Sequence, residues 1–178
     1  MRRVWIVLAG ASLLAAGCGK GKDPDARWFS SPTQVVDGIM HAYATRNDTL
    51  FAAFLAEDFH YFFEPERAES VDVLGWGKEE EVSSTGSLFR TPDVTSIRLE
   101  LRYDKPHPAP GPNASGWMVV PVSGGEMVVT VRDKDPMEVT LNRQEIVVRP
   151  RSGEKSSRKW EVVEWHDYPN PNATPAGG

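Results

Sequence analysis

Cysteine is nearly absent from this sequence, since Cys18 is the only one among 178 residues. A chain with a single cysteine forms no intramolecular disulfide. The sequence also lacks a metal-binding pattern, because its four histidines lie on different predicted elements and none has the spacing of a zinc ligand pair. These are His41, His60, His107 and His166. The sequence therefore predicts no metal site and no cofactor.

Clustered positive charge and long apolar runs are missing as well. The chain has 20 Lys and Arg residues against 25 Asp and Glu, a net charge of −5. Loss of residues 1–17, which contain Arg2 and Arg3, would change the net charge to −7. Nucleic-acid binding depends on clustered Lys and Arg, so nucleic acid is excluded as a partner. Beyond residue 16, no apolar run approaches the length of a transmembrane helix.

The glycines, serines and glutamates form no catalytic motif. No Gly-x-Ser-x-Gly elbow is present. Gly124-Gly125 is not followed by the Lys-Ser/Thr pair and the helix of a phosphate-binding loop, so it is interpreted as a hairpin turn. Glu79-Glu80-Glu81 is interpreted as the solvated first turn of a helix, where the helix dipole favours negative charge.

The N-terminal residues have the pattern of an export signal, either a lipoprotein signal or an ordinary secretory signal with an incidental cysteine. Arginines at positions 2 and 3 precede an apolar run, Val4–Ala16, that is too short to span a bilayer. The run leads into Gly17-Cys18 and resembles a bacterial lipoprotein signal, although Ala15 stands where that family prefers Leu. The resemblance implies that residues 1–17 are a removed signal peptide, that Cys18 is lipidated, and that residues 18–30 are a lipidated tether. It predicts a protein of the bacterial cell envelope, anchored to a membrane and facing the periplasm where an outer membrane exists.

Helical patterns begin directly after the tether. Ser31 is a suitable N-cap for a helix that starts at Pro32, and Gln34 completes a capping box. Apolar residues then recur at spacings of three and four, which predicts an amphipathic helix. They are Val35, Val36, Ile39, Met40 and Tyr43. Asn47-Asp48 caps a second predicted helix. Its predicted buried face consists of Leu50, Phe51, Phe54 and Leu55. A third, weaker helix is predicted from Lys78 to Phe89.

Strand patterns dominate the rest of the chain. The aromatic run Phe59–Phe63 predicts a strand, and apolar and charged residues alternate from Ile97 to Tyr103 in the manner of a half-buried strand. Further strands are predicted on both sides of Gly124-Gly125. A change of parity predicts a bulge near Asn142–Gln144. The final strand is predicted at Trp160–Trp165, and residues 169–178 are predicted to be a disordered tail.

The order of these elements resembles the nuclear transport factor 2-like superfamily, which includes SnoaL-like and ketosteroid-isomerase-like branches. The resemblance rests on the stretch VVDGIMHAYATRNDTLFAAFLAEDFHYFF, on the third helix led by Trp76, and on the closing RKWEVVEWHD. It implies an α+β domain over residues 31–168, in which a curved, mainly antiparallel sheet wraps around three N-terminal helices. The result is a cone with a pocket.

Aromatic residues are the predicted lining of that pocket. Together with one histidine they are Tyr43, His60, Tyr61, Phe63, Trp76, Trp117 and Trp165. The alternative is that these aromatics only fill a small core. Enzymes of the family use an Asp or His base with a Tyr or acidic partner. The residues able to play such parts form no diagnostic spacing, so no catalytic residue is assigned. They are Asp58, His60, Tyr61, Glu161 and His166.

Three functional hypotheses follow. The first is a lipid-anchored envelope protein without enzymatic activity that binds a small apolar ligand or a protein partner. One arrangement of such a protein is a homodimer formed through the open face of the sheet. The second is an isomerase, cyclase or hydrolase of the same fold that uses a pocket His or acid. The third is a structural accessory subunit of an envelope assembly, with its pocket closed by its own aromatics.

Overall fold

The computed structural model describes residues 26–63, 75–111, 114–151 and 159–168. Within these ranges a short 3₁₀ turn at Ala26–Phe29 precedes three α-helices and eight strands. The helices are α1 Pro32–Thr45, α2 Asp48–Phe54 and α3 Lys78–Arg90. The strands are β1 Leu55–Phe62, β2 Gly75–Gly77, β3 Val94–Tyr103, β4 His107–Pro108, β5 Met118–Val131, β6 Met137–Leu141, β7 Gln144–Pro150 and β8 Trp160–Asp167. The predicted signal peptide, the lipidation site at Cys18 and the predicted tail at 169–178 lie outside the described residues.

Both N-terminal helices begin where their capping residues predict. The Ser31 hydroxyl accepts a hydrogen bond from the backbone N–H of Gln34 at 3.3 Å, and the Asn47 side chain accepts one from Leu50 at 2.9 Å. One boundary differs from the prediction. Leu55 is buried, but it opens β1 without an intervening loop instead of closing α2.

A curved, open sheet wraps around the helices, as the predicted α+β fold class requires. Its main strand order is β2-β1-β8-β7-β5-β3, and β4 and β6 pair separately with β5. Of the described pairings, β1 with β8 is parallel and the others are antiparallel. The helices pack against the inner face of this sheet. The shape is a cone that is filled by helices at one end and open at the other.

The predicted hairpin turn at Gly124-Gly125 is wrong. Both glycines lie inside β5, which is one continuous 14-residue strand. A Cβ atom on Gly125 would collide with the backbone oxygen of Glu100 on β3, and Gly124 has a φ of +143° that favours glycine. The glycines therefore allow β5 to pass close to β3 while the register shifts at Arg102 and Tyr103.

β5 is long enough to serve two partners along one side. Residues 125–129 pair with β6, and residues 118–122 pair with β7. The predicted bulge near Asn142–Gln144 is wrong, because a break between β6 and β7 lies there instead. Leu141 pairs with Gly125 and Gln144 pairs with Val122, so the two sides of the break are equal in length and no extra residue is inserted.

The apolar core fills the narrow part of the cone, which we name the closed end. It consists of the fully buried side chains of α1, α2 and β1 together with the valines and the isoleucine that face them from the sheet. They are Val35, Val36, Ile39, Phe51, Phe54, Phe59, Val120, Ile146, Val148 and Val162. Phe29 of the 3₁₀ turn is buried against this cluster, with its ring 4.7 Å from that of Phe54. Residues just before α1 thus contribute to the core.

A single side chain ties the ends of α1 and α3 together. Arg46 follows α1 in a left-handed conformation, with a φ of 52°. Its guanidinium donates hydrogen bonds to the backbone oxygens of Phe89 at 2.7 Å, Thr91 at 3.0 Å and Val94 at 2.5 Å. The Phe89 carbonyl in the last turn of α3 is therefore satisfied by a charged donor, and the same guanidinium links that turn to the start of β3. None of the described helices is both long enough and apolar enough to cross a membrane.

Candidate functional site

A cavity of about 420 Å³ occupies the open end of the cone. We name it the cone cavity. It lies between the last turns of α1, one face of α3 and the inner face of the sheet. Its lining residues are Tyr43, Tyr61, Phe63, Trp76, Glu81, Ser84, Thr85, Leu88, Leu99, Met127, Leu141, Gln144 and Trp165. Five of the seven predicted liners therefore lie together, and two lie elsewhere.

Aromatic rings form one continuous wall of the cone cavity. The ring of Tyr61 lies 6.0 Å from that of Trp165 and 6.3 Å from that of Trp76. Phe63 completes the row with an edge-on contact to Trp76 at 4.8 Å. β1, β2 and β8 position these rings, because Tyr61 pairs with both Trp76 and Trp165 in the sheet register. A row of this kind presents a flat apolar surface to a bound molecule.

Glu81 is the polar centre of the cone cavity, and its position corrects the prediction for the first turn of α3. Glu79 and Glu80 are exposed as expected, but Glu81 is only 7% exposed. Its carboxylate accepts a hydrogen bond from Trp76 Nε1 at 2.8 Å and one from Thr85 Oγ1 at 3.3 Å. Tyr43 extends the chain of contacts, since its hydroxyl lies 3.4 Å from Thr85 Oγ1.

Burial controls the ionisation of this group. Removal from water raises the pKa of Glu81, and the hydrogen bonds from Trp76 and Thr85 offset part of that rise. Burial also raises the pKa of Tyr43, and the negative charge of Glu81 raises it further. Tyr43 therefore keeps its proton, while Glu81 takes up a proton more readily than an exposed glutamate. The pair can accept and donate hydrogen bonds, and Glu81 is the member that can exchange a proton.

Gln144 contributes a second polar wall, on β7. Its side-chain N–H donates to Asp167 at 3.0 Å, and the Tyr61 hydroxyl donates to the other oxygen of the same carboxylate at 3.3 Å. Gln144 is buried, with only 4% of the residue exposed. Asp167 thereby holds both a cavity-lining tyrosine and a cavity-lining amide in place.

His60 does not line the cone cavity, contrary to the prediction. Neighbouring residues of a strand point to opposite faces, and Tyr61 takes the inner one. His60 is exposed on the outer face, where its ring lies 5.7 Å from that of Phe62. Phe62 in turn stacks on His166 at 4.4 Å with a 9° angle between the rings. These aromatic residues form an outer ladder that is separated from the cone cavity by the sheet.

Trp117 is the second predicted liner that lies elsewhere. It stands just before β5 on the outer face and packs against a small apolar cluster made by Ala56, Val119, Val147 and Val163. There it lines a separate groove of about 510 Å³ together with Glu145, Glu164, His166 and Tyr168. The guanidinium of Arg149 lies 5.5 Å from the centre of its ring.

The acidic and histidine candidates weighed from the sequence also belong to the outer face. Arg149 donates to Asp58 at 2.6 Å and to Glu161 at 2.9 Å. The bond from Arg149 is the main cause that lowers the pKa of Asp58. His166 lies 2.9 Å from Glu164. These ion pairs give Asp58, Glu161 and His166 a structural role on the outer face. None of these side chains lines the cone cavity.

The residues missed from the sequence are Glu81, Thr85 and Gln144. One signal for the first two is present in the sequence, because Glu81 lies four residues before Thr85 and the two therefore share one face of the predicted third helix. Gln144 carried no such signal, since a polar residue beside a predicted bulge is ordinary. Among the described residues, no group of three or more His, Asp or Glu side chains is arranged to hold a metal ion.

Three helices inside a curved, open sheet, with a cavity at the wide end, define a cone fold of the nuclear transport factor 2-like type. An NTF2-like superfamily protein from Salmonella enterica has this fold and matches with a TM-score of 0.55 at 14% identity, over 82% of this chain and 94% of its own. A conserved protein from Planctomyces limnophilus matches with a TM-score of 0.58 at 12% identity, over 76% and 91%.

A protein from Novosphingobium aromaticivorans, provisionally named as a scytalone dehydratase, has a TM-score of 0.54 at 11% identity, over 82% of this chain and 91% of its own. Identities this low establish the fold and not the activity. No family model and no curated protein sequence matches the chain.

Proposed function

We propose that this protein binds a small, flat, largely apolar molecule with at least one hydroxyl group in the cone cavity, while a lipid on Cys18 holds it in the cell envelope. The observation that carries the binding proposal is the buried carboxyl of Glu81 in a wall that is otherwise mainly aromatic and aliphatic. A buried carboxyl costs folding free energy unless its acceptor positions are paired, and Trp76 and Thr85 pair only two of about four. Its position beside an open cavity is therefore best explained by a ligand.

The apolar walls supply affinity without strong selectivity. Tyr61, Phe63, Trp76 and Trp165 present ring faces and edges on one side. The other side is lined by aliphatic and thioether side chains. They are Leu88, Leu99, Met127 and Leu141. Burying ring carbons between such walls contributes about 25 cal/mol per Å² of apolar surface.

Glu81 supplies the selectivity. A carboxylate has about four acceptor positions, and Trp76 and Thr85 use two of them. A ligand hydroxyl can donate to a remaining position. A hydrogen bond to a charged acceptor contributes more than one to a neutral acceptor, with ranges of about 1.5–3 against about 0.5–1.5 kcal/mol.

The test compares two probes of similar shape, 6-methyl-2-naphthol and 2,6-dimethylnaphthalene. We expect the naphthol to bind more tightly to the wild type in calorimetric or fluorescence titrations. Glu81→Gln keeps the side-chain shape but removes the charge, so it is expected to reduce the preference for the hydroxyl by roughly tenfold. Glu79→Gln, on the exposed side of the same turn, is the matched control and should leave the preference unchanged.

Equal binding of the two probes to the wild type would contradict the proposal, as would an unchanged preference in Glu81→Gln. Titration of the folded variants, checked by circular dichroism, separates loss of binding from loss of structure. The cavity also supports ligand binding over the accessory-subunit hypothesis, which requires the pocket to be closed by its own aromatics.

Proton-transfer catalysis is the second candidate function, and the raised pKa of Glu81 next to the protonated Tyr43 favours it. A carboxylate held in such a site removes a proton next to a carbonyl, while a neighbouring hydroxyl stabilises the enolate oxygen. The role that the sequence offered to His60 or another acid would then belong to Glu81.

The catalytic candidate is tested by following deuterium uptake next to the carbonyl of 1-tetralone in heavy water by NMR. Exchange that is accelerated by the wild type and by Glu79→Gln, and lost in Glu81→Gln, would support an enzyme. Exchange at the rate of buffer alone would leave ligand binding as the function and exclude proton abstraction from this class of ketone.

The membrane anchor is proposed from the sequence at Cys18 and is tested separately. Cys18→Ser is expected to move the protein from the membrane pellet to the soluble fraction, because lipid chains on one residue are strong anchors at about 0.8 kcal/mol per buried CH₂. An unchanged distribution would show that Cys18 does not anchor the protein. Native mass spectrometry of the released form reports whether it is a homodimer and whether a small molecule accompanies it.

A further inference from the structure

Two polar atoms of the cone cavity have no hydrogen-bond partner. They are the side-chain oxygen of Gln144 and the indole N–H of Trp165. Both side chains line the cavity, and they are only 4% and 6% exposed. Two further buried polar atoms without a hydrogen bond occur among the described residues, Trp28 Nε1 and Arg151 Nε, and neither residue lines this cavity. Arg151 Nε lies 3.4 Å from a Glu161 oxygen, so it has an ionic partner.

The sheet register places the two residues that carry these atoms next to each other. Gln144 pairs with Asp167 and Ile146 pairs with Trp165, so Gln144 and Trp165 are diagonal neighbours on adjacent strands. Diagonal neighbours on one face have Cα atoms about 7–8 Å apart, within reach of long side chains. The orientation of the Gln144 amide is set by its bond from Nε2 to Asp167, which leaves the oxygen as the free atom.

One type of chemical group matches both atoms. An indole N–H only donates and an amide oxygen only accepts, so the matching group must accept one hydrogen bond and donate another. A hydroxyl does both. Both atoms are shielded from solvent, so the side chains must shift slightly to admit such a group.

This polar pair is separated from Glu81 by the aromatic row. Glu81 is bonded to Trp76, and Trp76, Tyr61 and Trp165 follow one another at ring distances of 6.3 and 6.0 Å. A flat ring system that lies along this row points one end toward Trp76, which is bonded to Glu81, and the other end toward Trp165.

We propose that the ligand class of the cone cavity is a flat fused-ring compound with a hydroxyl group at each end, one for Glu81 and one for the Gln144–Trp165 pair. This inference rests on the ligand-binding function proposed above. It adds a second specificity site that discriminates between ligands by their far end.

The test uses three probes of nearly equal shape: naphthalene-2,6-diol, 6-methyl-2-naphthol and 2,6-dimethylnaphthalene. We expect the wild type to bind the diol about tenfold more tightly than the mono-hydroxyl probe, because the latter leaves two buried polar atoms unpaired. Trp165→Phe and Gln144→Met are each expected to bring that ratio close to one. Trp160→Phe, on the same strand but outside the cavity, is the control and should preserve it.

The outcomes separate the two proposals. A mono-hydroxyl probe that binds better than the dimethyl probe, with no further gain for the diol, supports the proposed function and overturns the second site. A tenfold diol preference that survives in both variants also overturns it. Absence of binding by all three probes contradicts both proposals. Gln144→Met keeps the Trp165 ring, so a folding defect in one variant leaves the other able to decide.

Discussion

The two ends of the cone share one sheet, but different helices cover them and their buried side chains differ in polarity. At the closed end, α1, α2 and the sheet bury apolar side chains such as Ile39, Phe51 and Phe54 with no exposed surface. At the open end, α3 and the sheet bury a carboxyl, Glu81, and an amide, Gln144. The closed end has the features of a region selected for stability. The open end retains groups that reduce stability in the absence of a partner.

The difference assigns separate tasks to the two ends. Close packing in an apolar core tolerates little change in volume, because neighbouring side chains interdigitate. A cavity tolerates truncation of its wall, because space is already present there. Substitutions of the same chemical kind should therefore have large effects at the closed end and small effects on stability at the open end.

The largest effect is expected from Phe54→Ala. Phe54 is completely buried and stacks on Phe29, so its removal leaves a cavity and should lower the free energy of unfolding by about 3–5 kcal/mol. Phe63→Ala is the matched change at the open end, where the ring is only half-buried and borders the cone cavity. Urea denaturation of both variants should give a clearly smaller loss for Phe63→Ala. Equal losses would contradict the distinction between the two ends.

Two Gly→Ala substitutions are expected to change stability by intermediate amounts and in opposite directions. At Gly38 a Cβ atom would lie 2.8 Å from both Phe54 Cε1 and Trp28 Cβ, so Gly38→Ala should cost about 1–3 kcal/mol through overpacking. At Gly86 a Cβ atom would meet only the flexible guanidinium of Arg90, and the gain in helix propensity is up to about 1 kcal/mol. Thermal melts should show a lower Tm for Gly38→Ala and an equal or higher one for Gly86→Ala. Destabilisation of the same size at both positions would argue against open packing around α3.

The smallest effect concerns the pH dependence of stability at the open end. The pKa of Glu81 lies above its ordinary value of 4.5 because the side chain is buried. Between the ordinary and the raised pKa the folded protein keeps a proton that the unfolded chain releases. The free energy of unfolding contributed by this group therefore falls as pH rises through that window.

The glutamine side chain of Glu81→Gln cannot ionise, so this contribution to the free energy of unfolding should no longer fall as the pH rises. Urea denaturation at several pH values is expected to show little difference from the wild type near about pH 4, and a more stable variant above the raised pKa. Glu79→Gln changes the same charge at an exposed position and should follow the wild type. A constant difference between Glu81→Gln and the wild type at all pH values would show that the carboxyl has no shifted pKa.

Much of the fold could be predicted because the relevant signals are local. The Ser31 and Asn47 caps act within three residues of the helices that they start. The alternation around Leu99 and Leu101 follows from the two faces of a strand. The Gly124-Gly125 prediction was wrong because a glycine pair serves equally well in a turn and at a close crossing of strands. Only the approach of Glu100 distinguishes the two cases.

The candidate site was less predictable, because membership of a wall depends on neighbours that are distant in sequence. Tyr61, Trp76 and Trp165 meet through the register of three strands, and this register directs His60 to the outer face. Trp117 is as apolar as Trp165, yet it lies against Val119 and Val147 on the other side of the sheet. Residue type alone does not distinguish these two tryptophans.

The sequence by itself determined the helix starts, the α+β class and the acidic charge. Caps and periodicity act between residues that are close in sequence, and the net charge follows from composition alone. The tertiary structure decided which carboxyl is buried, which aromatics share the cone cavity, and which polar atoms remain unpaired. Those properties depend on how α3 packs against a curved sheet. Burial arises from distant surfaces that meet, and no single stretch of the chain contains both of them.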